Sequence, residues 1–402
     1  YIDLQKKGYM FDINAYKYSN VLTDKWIVSR LGSLVINVQN KMRTLQIDKC
    51  IVELLEFIED LTNWYIKFNR ERLRGLDGET EWVVSLSTLF YVILNFIKVM
   101  TPFTPFLSEY LYNSINKLDQ YINKSVLLCL YPNTSDFIFN EQIECQMMRL
   151  KQAVKMVRVL RDKTDNLKTI RVPIKKVIFY HNDEEYLNDI RTIEELAQEQ
   201  MNCESFEYKN FSDNVYYNLI PNQKSLGLKY KAKAKIIKEN LDLVDKINVF
   251  KFAKGDIDVI YLDISNERFE LTREDVQVNV NKKNENDKYL SLTESDLMIS
   301  IDTTYDEISH NNYQTRLMLR EVQKLRRSVG LNPWNKINVH FNSDNSLHQK
   351  LFTENKIHFE SKLKCLTTIG FEPESVFCKT EFDWEDFTGQ IHKVNIKIQL
   401  LD

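Results

Sequence analysis

The sequence predicts a multidomain α+β protein, with an N-terminal all-α helix bundle followed by small α/β domains. Its 402 residues are enough for two or three domains, and 43% apolar with 28% charged residues is a globular composition. Apolar residues recur every three or four positions up to about residue 117, as in packed helices. Beyond that point, short β-branched and aromatic runs alternate with helical segments, as in small α/β domains.

The bundle is predicted to contain several helices with wide apolar stripes. Their apolar residues lie within 26–42, 50–68, 86–100 and 107–115. Gly75 and Gly78 are expected to end the second helix, because glycine readily adopts the left-handed conformation that closes helices. Pro102 and Pro105 are expected to end the third, because proline lacks the amide hydrogen that a helix interior needs.

The remainder of the chain mixes strands and helices. The run SVLLCLYP, residues 125–132, is expected to form a linking strand or extended segment, and Glu141–Asp162 a long helix. Further strands are predicted at 172–181, 205–208, 215–219, 256–262, 269–274, 276–280, 297–301, 336–341 and 394–401. Further helices are predicted at 185–200, 230–243, 306–329 and 346–366. The expected domains are a bundle at 20–118, a linking strand and helix at 119–165, an α/β junction domain at 166–300 and a C-terminal α/β domain at 301–402.

The sequence lacks the motifs that are typical of several classes of functional site. It has only 9 glycines and neither a G-x-G-x-x-G nor a G-x-x-x-x-G-K-[ST] loop, so the usual cradles for a dinucleotide or ATP are missing. Its 6 cysteines are scattered without a C-x-x-C pair, and no H-E-x-x-H occurs, so no metal site is predicted. No G-x-S-x-G nucleophile motif occurs either, and no catalytic residue is assigned. The most apolar stretch, 82–100, contains polar side chains and is interpreted as a buried bundle helix.

The segment LTNWYIKFNRERLRG, residues 61–75, is the densest chemical feature of the chain. On a helix, one side carries Asn63, Lys67, Arg70 and Arg74. Arginine forks suit phosphates and base edges, and aromatic side chains stack on unpaired RNA bases. The alternative is that the aromatics are bundle core and the arginines a solvated last turn favoured by the helix dipole.

Two further basic segments occur in the second half of the chain. On the predicted helix at 306–329, one stripe collects basic residues: Arg316, Arg320, Lys324 and Arg327. Like charges at this spacing repel, so an acidic or phosphate partner would stabilise them, although Glu321 nearby could do the same. SLGLKYKAKAKIIK, residues 225–238, is interpreted as a helix with either a binding or a solvated lysine face.

The segment 61–75 closely resembles the helix motif in the anticodon-binding domain of class Ia aminoacyl-tRNA synthetases. TDKWIVSRLGSL and SLSTLFYVILNFIKVMTPFTPFLSEYLY resemble other helices of that domain. SVLLCLYP, VPIKKVIFYH, IPNQKSLGLKY and LREVQKLRRSVGLNPWNKI resemble successive stretches of isoleucyl-tRNA synthetases of the eukaryotic cytosolic type. The resemblance covers about residues 10 to 340, in the family's order.

The resemblance implies a tRNA-recognition region with tRNA(Ile) as its partner, within a cytoplasmic enzyme that joins isoleucine to tRNA using ATP and Mg²⁺. The family's His-Ile-Gly-His and Lys-Met-Ser-Lys-Ser signatures and its editing domain are missing. We therefore expect the C-terminal portion of a larger enzyme, inactive alone and without a cofactor site, with residues 1–19 as the tail of the connection to a catalytic core. The C-terminal domain could also contact proteins of a multi-synthetase assembly. The alternative is a free-standing RNA-binding or protein-interaction module derived from a synthetase.

Residue type and motif position together select the candidate RNA contacts. Lys67, Arg70, Arg72 and Arg74 are the expected phosphate contacts, and Asn63 and Trp64 the expected base contacts. Arg30 and Asn37 on the facing first helix, and Lys324, Arg326 and Arg327 in the last domain, are further candidates.

Overall fold

The computed structural model describes residues 12, 14–116, 124–211, 215–264, 267–282, 288–294, 296–331, 335–343, 345–363, 365–370 and 375–401. The chain divides into two compact units, Tyr1–Met148 with His310–Asp402 (unit 1) and Arg149–Ser309 (unit 2). The predicted α+β multidomain class is confirmed, whereas the finer domain division remains a prediction. Most of the predicted tail at residues 1–19 lies outside the described residues; within it, Ala15–Tyr18 forms a 3₁₀ turn.

The helix bundle of unit 1 contains every helix that the sequence predicts there. The helices are α1 (Leu22–Arg43), α2 (Ile47–Glu59), α3 (Glu79–Met100) and α4 (Pro105–Asn116). A π-helical segment, Asp60–Tyr65, and a final turn, Ile66–Phe68, continue α2 without a break. Trp26, Leu34 and Phe57 are buried, because the apolar stripes of α1 and α2 face the interior of the bundle. By length and composition α3 could cross a membrane, but 61% of its most apolar window is buried in the protein.

Two glycines permit close packing in the bundle. A Cβ on Gly32 of α1 would lie 2.7 Å from Phe137 Cβ, so only glycine lets this part of the chain approach the helix so closely. Gly75 has a φ of +73° and lies against the Trp82 ring, where a Cβ would come within 2.8 Å. The predicted end of the second helix is therefore a 3₁₀ turn, Arg72–Arg74, closed by Gly75 in the left-handed region.

The segment 125–132, predicted as a linking strand or an extended segment, begins with a 3₁₀ turn and forms no strand among the described residues. Val126–Leu128 forms a 3₁₀ turn, because Ser125 caps it by accepting from the Leu127 amide. The Glu109 carboxylate accepts from the Val126 amide at 3.0 Å and so occupies a donor that a strand partner would need. The long helix α5 spans Glu141–Asp162, as predicted.

The C-terminal part of unit 1 is a small α/β fold. Its helices are α11 (Glu307–Ser328), α12 (Ser346–Glu354) and α13 (Lys356–Leu363), and its strands are β9 (Ile337–Ser343), β10 (Leu366–Ile369), β11 (Cys378–Glu385) and β12 (Ile391–Leu400). The sheet order is β10-β9-β12-β11, with β9 parallel to β10 and the other pairs antiparallel. Val322 of α11 is fully buried in the same core as Phe341, Phe352 and Trp384.

Unit 2 is built around a second mixed sheet. Its strands are β1 (Ile174–His181), β2 (Cys203–Asn210), β3 (Val215–Pro221), β4 (Val259–Ile264), β5 (Glu267–Thr272), β6 (Val276–Lys282), β7 (Tyr289–Glu294) and β8 (Leu297–Asp302). The main sheet has the order β2-β1-β8-β7, and β3–β6 and β4–β5 form separate antiparallel pairs. The parallel pair β1–β2 is joined by α6 (Glu184–Thr192) and α7 (Glu194–Met201), which replace the single helix predicted at 185–200.

The single helix predicted at 230–243 is also wrong. The chain instead forms α8 (Gln223–Tyr230), α9 (Ala234–Glu239) and α10 (Lys246–Lys254), with 3₁₀ turns between them. Lys231 causes the first break, because its φ of 48° and ψ of −118° lie outside the helical region. The lysines of this segment are therefore not one continuous helix face, and Lys229 and Lys233 pair with Asp275 and Glu267.

A buried arginine connects the end of α5 to the sheet of unit 2. The Arg161 side chain is 2% exposed. Its Nη1 donates to the carbonyls of Leu167 (3.1 Å), Thr169 (3.2 Å) and Val172 (2.9 Å), which fixes the loop entering β1. Its Nη2 donates to the carbonyls of Met201 (2.8 Å) and Asn202 (3.2 Å), immediately before β2. One guanidinium therefore sets the entry of both parallel strands.

We expect Arg161→Lys to destabilise unit 2 by more than about 2 kcal/mol, because an ammonium cannot satisfy all these buried carbonyls. Hydrogen–deuterium exchange of peptides within 149–309 would measure the change. Arg158→Lys, at an exposed position on the same helix, is the matched control. The described tryptophans, Trp26, Trp64, Trp82 and Trp384, all belong to unit 1, so their fluorescence reports whether that unit stays folded. Equal hydrogen–deuterium exchange in the two variants would contradict the role of Arg161 in stabilising unit 2.

Candidate nucleic-acid interface

The segment after α2 separates exposed polar side chains from buried ones. Asn63, Lys67, Arg70 and Arg74 are all exposed. Asn63 lies in the π-helical segment, Lys67 in the final α-helical turn, Arg70 in the turn that follows and Arg74 in the 3₁₀ turn. That the four side chains share one face and contact RNA stays a prediction.

A buried polar network holds this segment against the start of α1. The Asp24 carboxylate is 1% exposed and accepts from Arg72 Nη1 (3.1 Å), Arg72 Nη2 (2.9 Å) and the Tyr65 hydroxyl (2.8 Å). Asn69 is also buried: its Oδ1 accepts from Thr23 Oγ1 (3.0 Å) and Arg72 Nη1 (2.5 Å). The network therefore joins α1, the end of α2 and the 3₁₀ turn that follows.

The electrostatics of the network explain its composition. Burial opposes the charge of Arg72, but its hydrogen bonds and charge interactions with Asp24 and Glu81 outweigh this and raise the pKa of the guanidinium. Burial, followed by the Asp24 charge, raises the pKa of Tyr65 well above its usual value. Arg72 thus remains a cation and Tyr65 a neutral donor, which is the pairing that the buried Asp24 carboxylate requires.

Arg72 is therefore a structural residue and not an exposed phosphate contact, which corrects the sequence expectation. Its side chain is 11% exposed, and its donors are directed to Asp24, Asn69 and Glu81. Trp64 requires the same correction. It is 2% exposed and packs against the Phe68 ring at 5.7 Å between centroids, so it belongs to the core and cannot stack on a base.

The two candidates on α1 also make contacts within the bundle. Arg30 Nε donates to Asp60 at 3.1 Å, and its Nη2 lies 3.8 Å from both Glu53 and Glu56. Asn37 donates to Glu53 at 3.4 Å. The Arg30 side chain is 14% exposed and surrounded by carboxylates, so it stabilises the α1–α2 contact and does not present its charge to an anion.

The last domain presents one buried arginine beside exposed cations. Arg326 is 4% exposed and donates to the Leu363 carbonyl at 3.1 Å, and burial lowers its pKa. It connects α11 to α13, so the expectation that it contacts RNA is wrong. Lys324 is exposed but pairs with Glu321 at 3.3 Å, whereas Arg327 is exposed at the end of α11.

Arg74 has a basic electrostatic environment. The pKa of Arg74 is lowered first by partial burial, then by the positive charges of Arg70 and Arg327, whereas Glu71 opposes this. Among the described residues, neither Arg70, Arg74 nor Arg327 takes part in an ion pair. Exposed guanidinium groups of this kind suit a phosphate-bearing ligand.

Comparison with known proteins relates the helix bundle to a known domain family. Residues 24–176 match the family described as the anticodon-binding domain of tRNA ligase. The matched range contains Asp24, Arg72 and the exposed side chains that follow α2, so the exposed surface lies within the part of the chain that resembles this domain. Arg327 lies outside the match.

The similarity to tRNA ligases continues beyond the bundle. The chain is 30% identical over 334 residues to the cytoplasmic isoleucine–tRNA ligase of Saccharomyces cerevisiae, covering 79% of this chain and 30% of the relative. It is 28% identical over 332 residues to that of Schizosaccharomyces pombe, covering 81% and 30%. It is 29% identical over 337 residues to that of Arabidopsis thaliana, covering 83% and 28%. The similarity to these ligases therefore extends over about four fifths of the chain, which spans less than a third of the length of these relatives.

We expect Asp24→Asn to destabilise unit 1 by about 3 kcal/mol, because it leaves the Arg72 guanidinium buried without its counter-charge. Urea unfolding followed by tryptophan fluorescence would measure the loss, since every described tryptophan lies in this unit. Glu81→Gln is the control. Glu81 pairs with the same guanidinium, but its side chain is 43% exposed. Its substitution should therefore lower the free energy of unfolding by less than about 1 kcal/mol. Equal small losses in both variants would show that the network is not important for stability.

Proposed function

We propose that this chain recognises tRNA(Ile) through the surface formed by Asn63, Lys67, Arg70 and Arg74. The observation that carries the proposal is the position of this surface within the anticodon-binding domain, on a segment that a buried network fixes. The arginines would bind backbone phosphates, and Asn63 would read a base edge, because an amide can both donate and accept.

The exposed arginines extend from a rigid turn, which favours phosphate binding. A guanidinium held in place loses less conformational freedom when it binds a phosphate than one on a mobile segment. Arg72 supplies that rigidity between Arg70 and Arg74, since both of its Nη groups donate to Asp24. Unstacked bases of a single-stranded loop are the parts of RNA that proteins read most readily, which fits an anticodon loop.

The activity of the whole protein is part of the same proposal. We infer that the chain belongs to a cytoplasmic ligase that joins isoleucine to tRNA(Ile) with ATP and Mg²⁺. The names of its relatives support the choice of isoleucine and of the cytoplasm. We expect this segment itself to hold neither ATP nor Mg²⁺, because its sequence lacks a glycine-rich phosphate loop.

Binding of a tRNA(Ile) transcript, measured by fluorescence anisotropy over a series of salt concentrations, tests the RNA surface. We expect Arg70→Gln and Arg74→Gln each to weaken binding about tenfold and to reduce the salt slope by about 1, the effect of one lost phosphate contact. Arg268→Gln is the control, because Arg268 is 66% exposed in unit 2 and pairs with Asp263. Unchanged affinity and slope in both Arg70→Gln and Arg74→Gln would refute the proposed surface.

We also expect the chain alone to form no isoleucyl-tRNA, because it contains no candidate group for activating the amino acid. The measurement is aminoacylation of the same transcript with isoleucine, ATP and Mg²⁺, beside an intact isoleucine–tRNA ligase as positive control. Charged tRNA from the chain alone would contradict this expectation without affecting the binding proposal.

A further inference from the structure

We propose that the loop before β1, residues 163–172, is a second RNA site, at which Lys168 and Arg171 bind the phosphate backbone of the tRNA. The inference rests on the proposed function, because it assumes an RNA ligand. It goes beyond that function because it adds a binding site in unit 2, whereas the surface proposed above lies in unit 1. A phosphate contact of this kind contributes affinity and does not read the base sequence.

The first support is that the backbone on both sides of Lys168 is fixed. Leu167 and Thr169 flank this lysine, and their carbonyls accept from Nη1 of the buried Arg161 at 3.1 and 3.2 Å. The Leu167 side chain is fully buried, whereas Lys168 is exposed. The lysine therefore extends into solvent from a backbone that is held at both neighbouring residues.

The same arrangement occurs three residues later, at Arg171. The carbonyl of Ile170 accepts from Asn202 Nδ2 at 2.7 Å, and that of Val172 accepts from Arg161 Nη1 at 2.9 Å. Asn202 is 7% exposed, whereas Arg171 is exposed. A cation on a fixed backbone loses less conformational entropy when it binds a phosphate than a cation on a mobile segment. The loop thus presents an ammonium and a guanidinium from one backbone that buried donors hold in place.

The second support is that these two charges are not neutralised within the part of the chain that the structure describes. Neither Lys168 nor Arg171 takes part in an ion pair there, and Asp165, the one carboxylate of the loop, pairs with neither. Lys175 and Lys176 in β1 do pair with carboxylates. The loop therefore differs from the strand that follows it, because its cations remain available to an anion.

The third support is the extent of the match to the anticodon-binding domain. The matched residues, 24–176, continue past the bundle through α5 and the whole loop. An RNA is favoured over an acidic peptide because the loop lies inside the range that resembles a domain of tRNA ligases. Both side chains suit an RNA backbone: arginine binds phosphate oxygens through two parallel hydrogen bonds, and lysine binds them as a point charge.

Binding of the tRNA(Ile) transcript to the full chain, measured by fluorescence anisotropy over a series of salt concentrations, tests the loop. We expect Lys168→Gln and Arg171→Gln each to weaken binding about tenfold and to reduce the salt slope by about 1. The double variant should reduce the slope by about 2. Arg268→Gln, which removes an exposed and paired cation elsewhere in unit 2, should leave both quantities unchanged.

Two further measurements separate a phosphate contact from other causes. Lys168→Arg should bind as the unchanged chain does, because it keeps the positive charge at the same position. Equal losses in Lys168→Arg and Lys168→Gln would overturn the proposal, because the lysine charge would then not be the cause. A transcript with a different anticodon should lose affinity for the loop variants by the same factor, since phosphates carry no sequence information. A loss confined to tRNA(Ile) would indicate base reading and overturn the phosphate assignment.

The remaining outcomes distinguish this site from the proposed function. Normal affinity and salt slope in both loop variants would overturn the second site, while losses in Arg70→Gln and Arg74→Gln would still support the bundle surface. Unchanged binding in all four variants would refute the proposed function as well. Binding of a poly-glutamate peptide that is lost in Lys168→Gln, without any loss of RNA affinity, would assign the loop to a protein partner and overturn the proposal.

Discussion

The buried contact between Asp24 and Arg72 is the constraint on which the exposed basic segment after α2 depends. It joins the first turn of α1 to the 3₁₀ turn after α2, and Asn69 and Tyr65 complete it. A charge pair of this kind is costly to bury, and it is tolerated here because nearly every donor and acceptor is used. The consequence is that the turn carrying Arg70 and Arg74 has one defined position relative to the bundle.

A buried guanidinium also organises unit 2. Arg161 is 2% exposed and donates to backbone carbonyls at the entry of β1 and β2. A planar guanidinium has several donors and can hydrogen-bond to the carbonyls of separate backbone segments at the same time. An ammonium has fewer donors, all on one nitrogen, and cannot replace it in this role. Buried arginines thus organise both units. Because such arginines are not accessible, the number of basic residues in a segment is larger than the number available to a ligand.

The sequence predicted the elements with strong periodicity and failed where local hydrogen bonding decides the structure. The bounds of Glu141–Asp162 were predicted correctly, because an uninterrupted helical pattern needs no tertiary information. The strand expected around Val126 failed because Ser125 and Glu109 capture backbone amides there. The helix expected through Lys231 failed because the backbone changes conformation at a residue whose type gives no signal. Apolar runs and spacing do not contain this information.

At the site, residue type and spacing selected arginines but not the role of each one. Arg70 and Arg74 are exposed, whereas Arg72, two residues from each, is directed inward to Asp24. The acceptor that decides this lies on another helix, and the spacing of basic residues within one segment gives no information about it. The inward residue fixes the backbone from which the outward pair extends. A short basic segment can therefore be a structural joint and still present exposed charges.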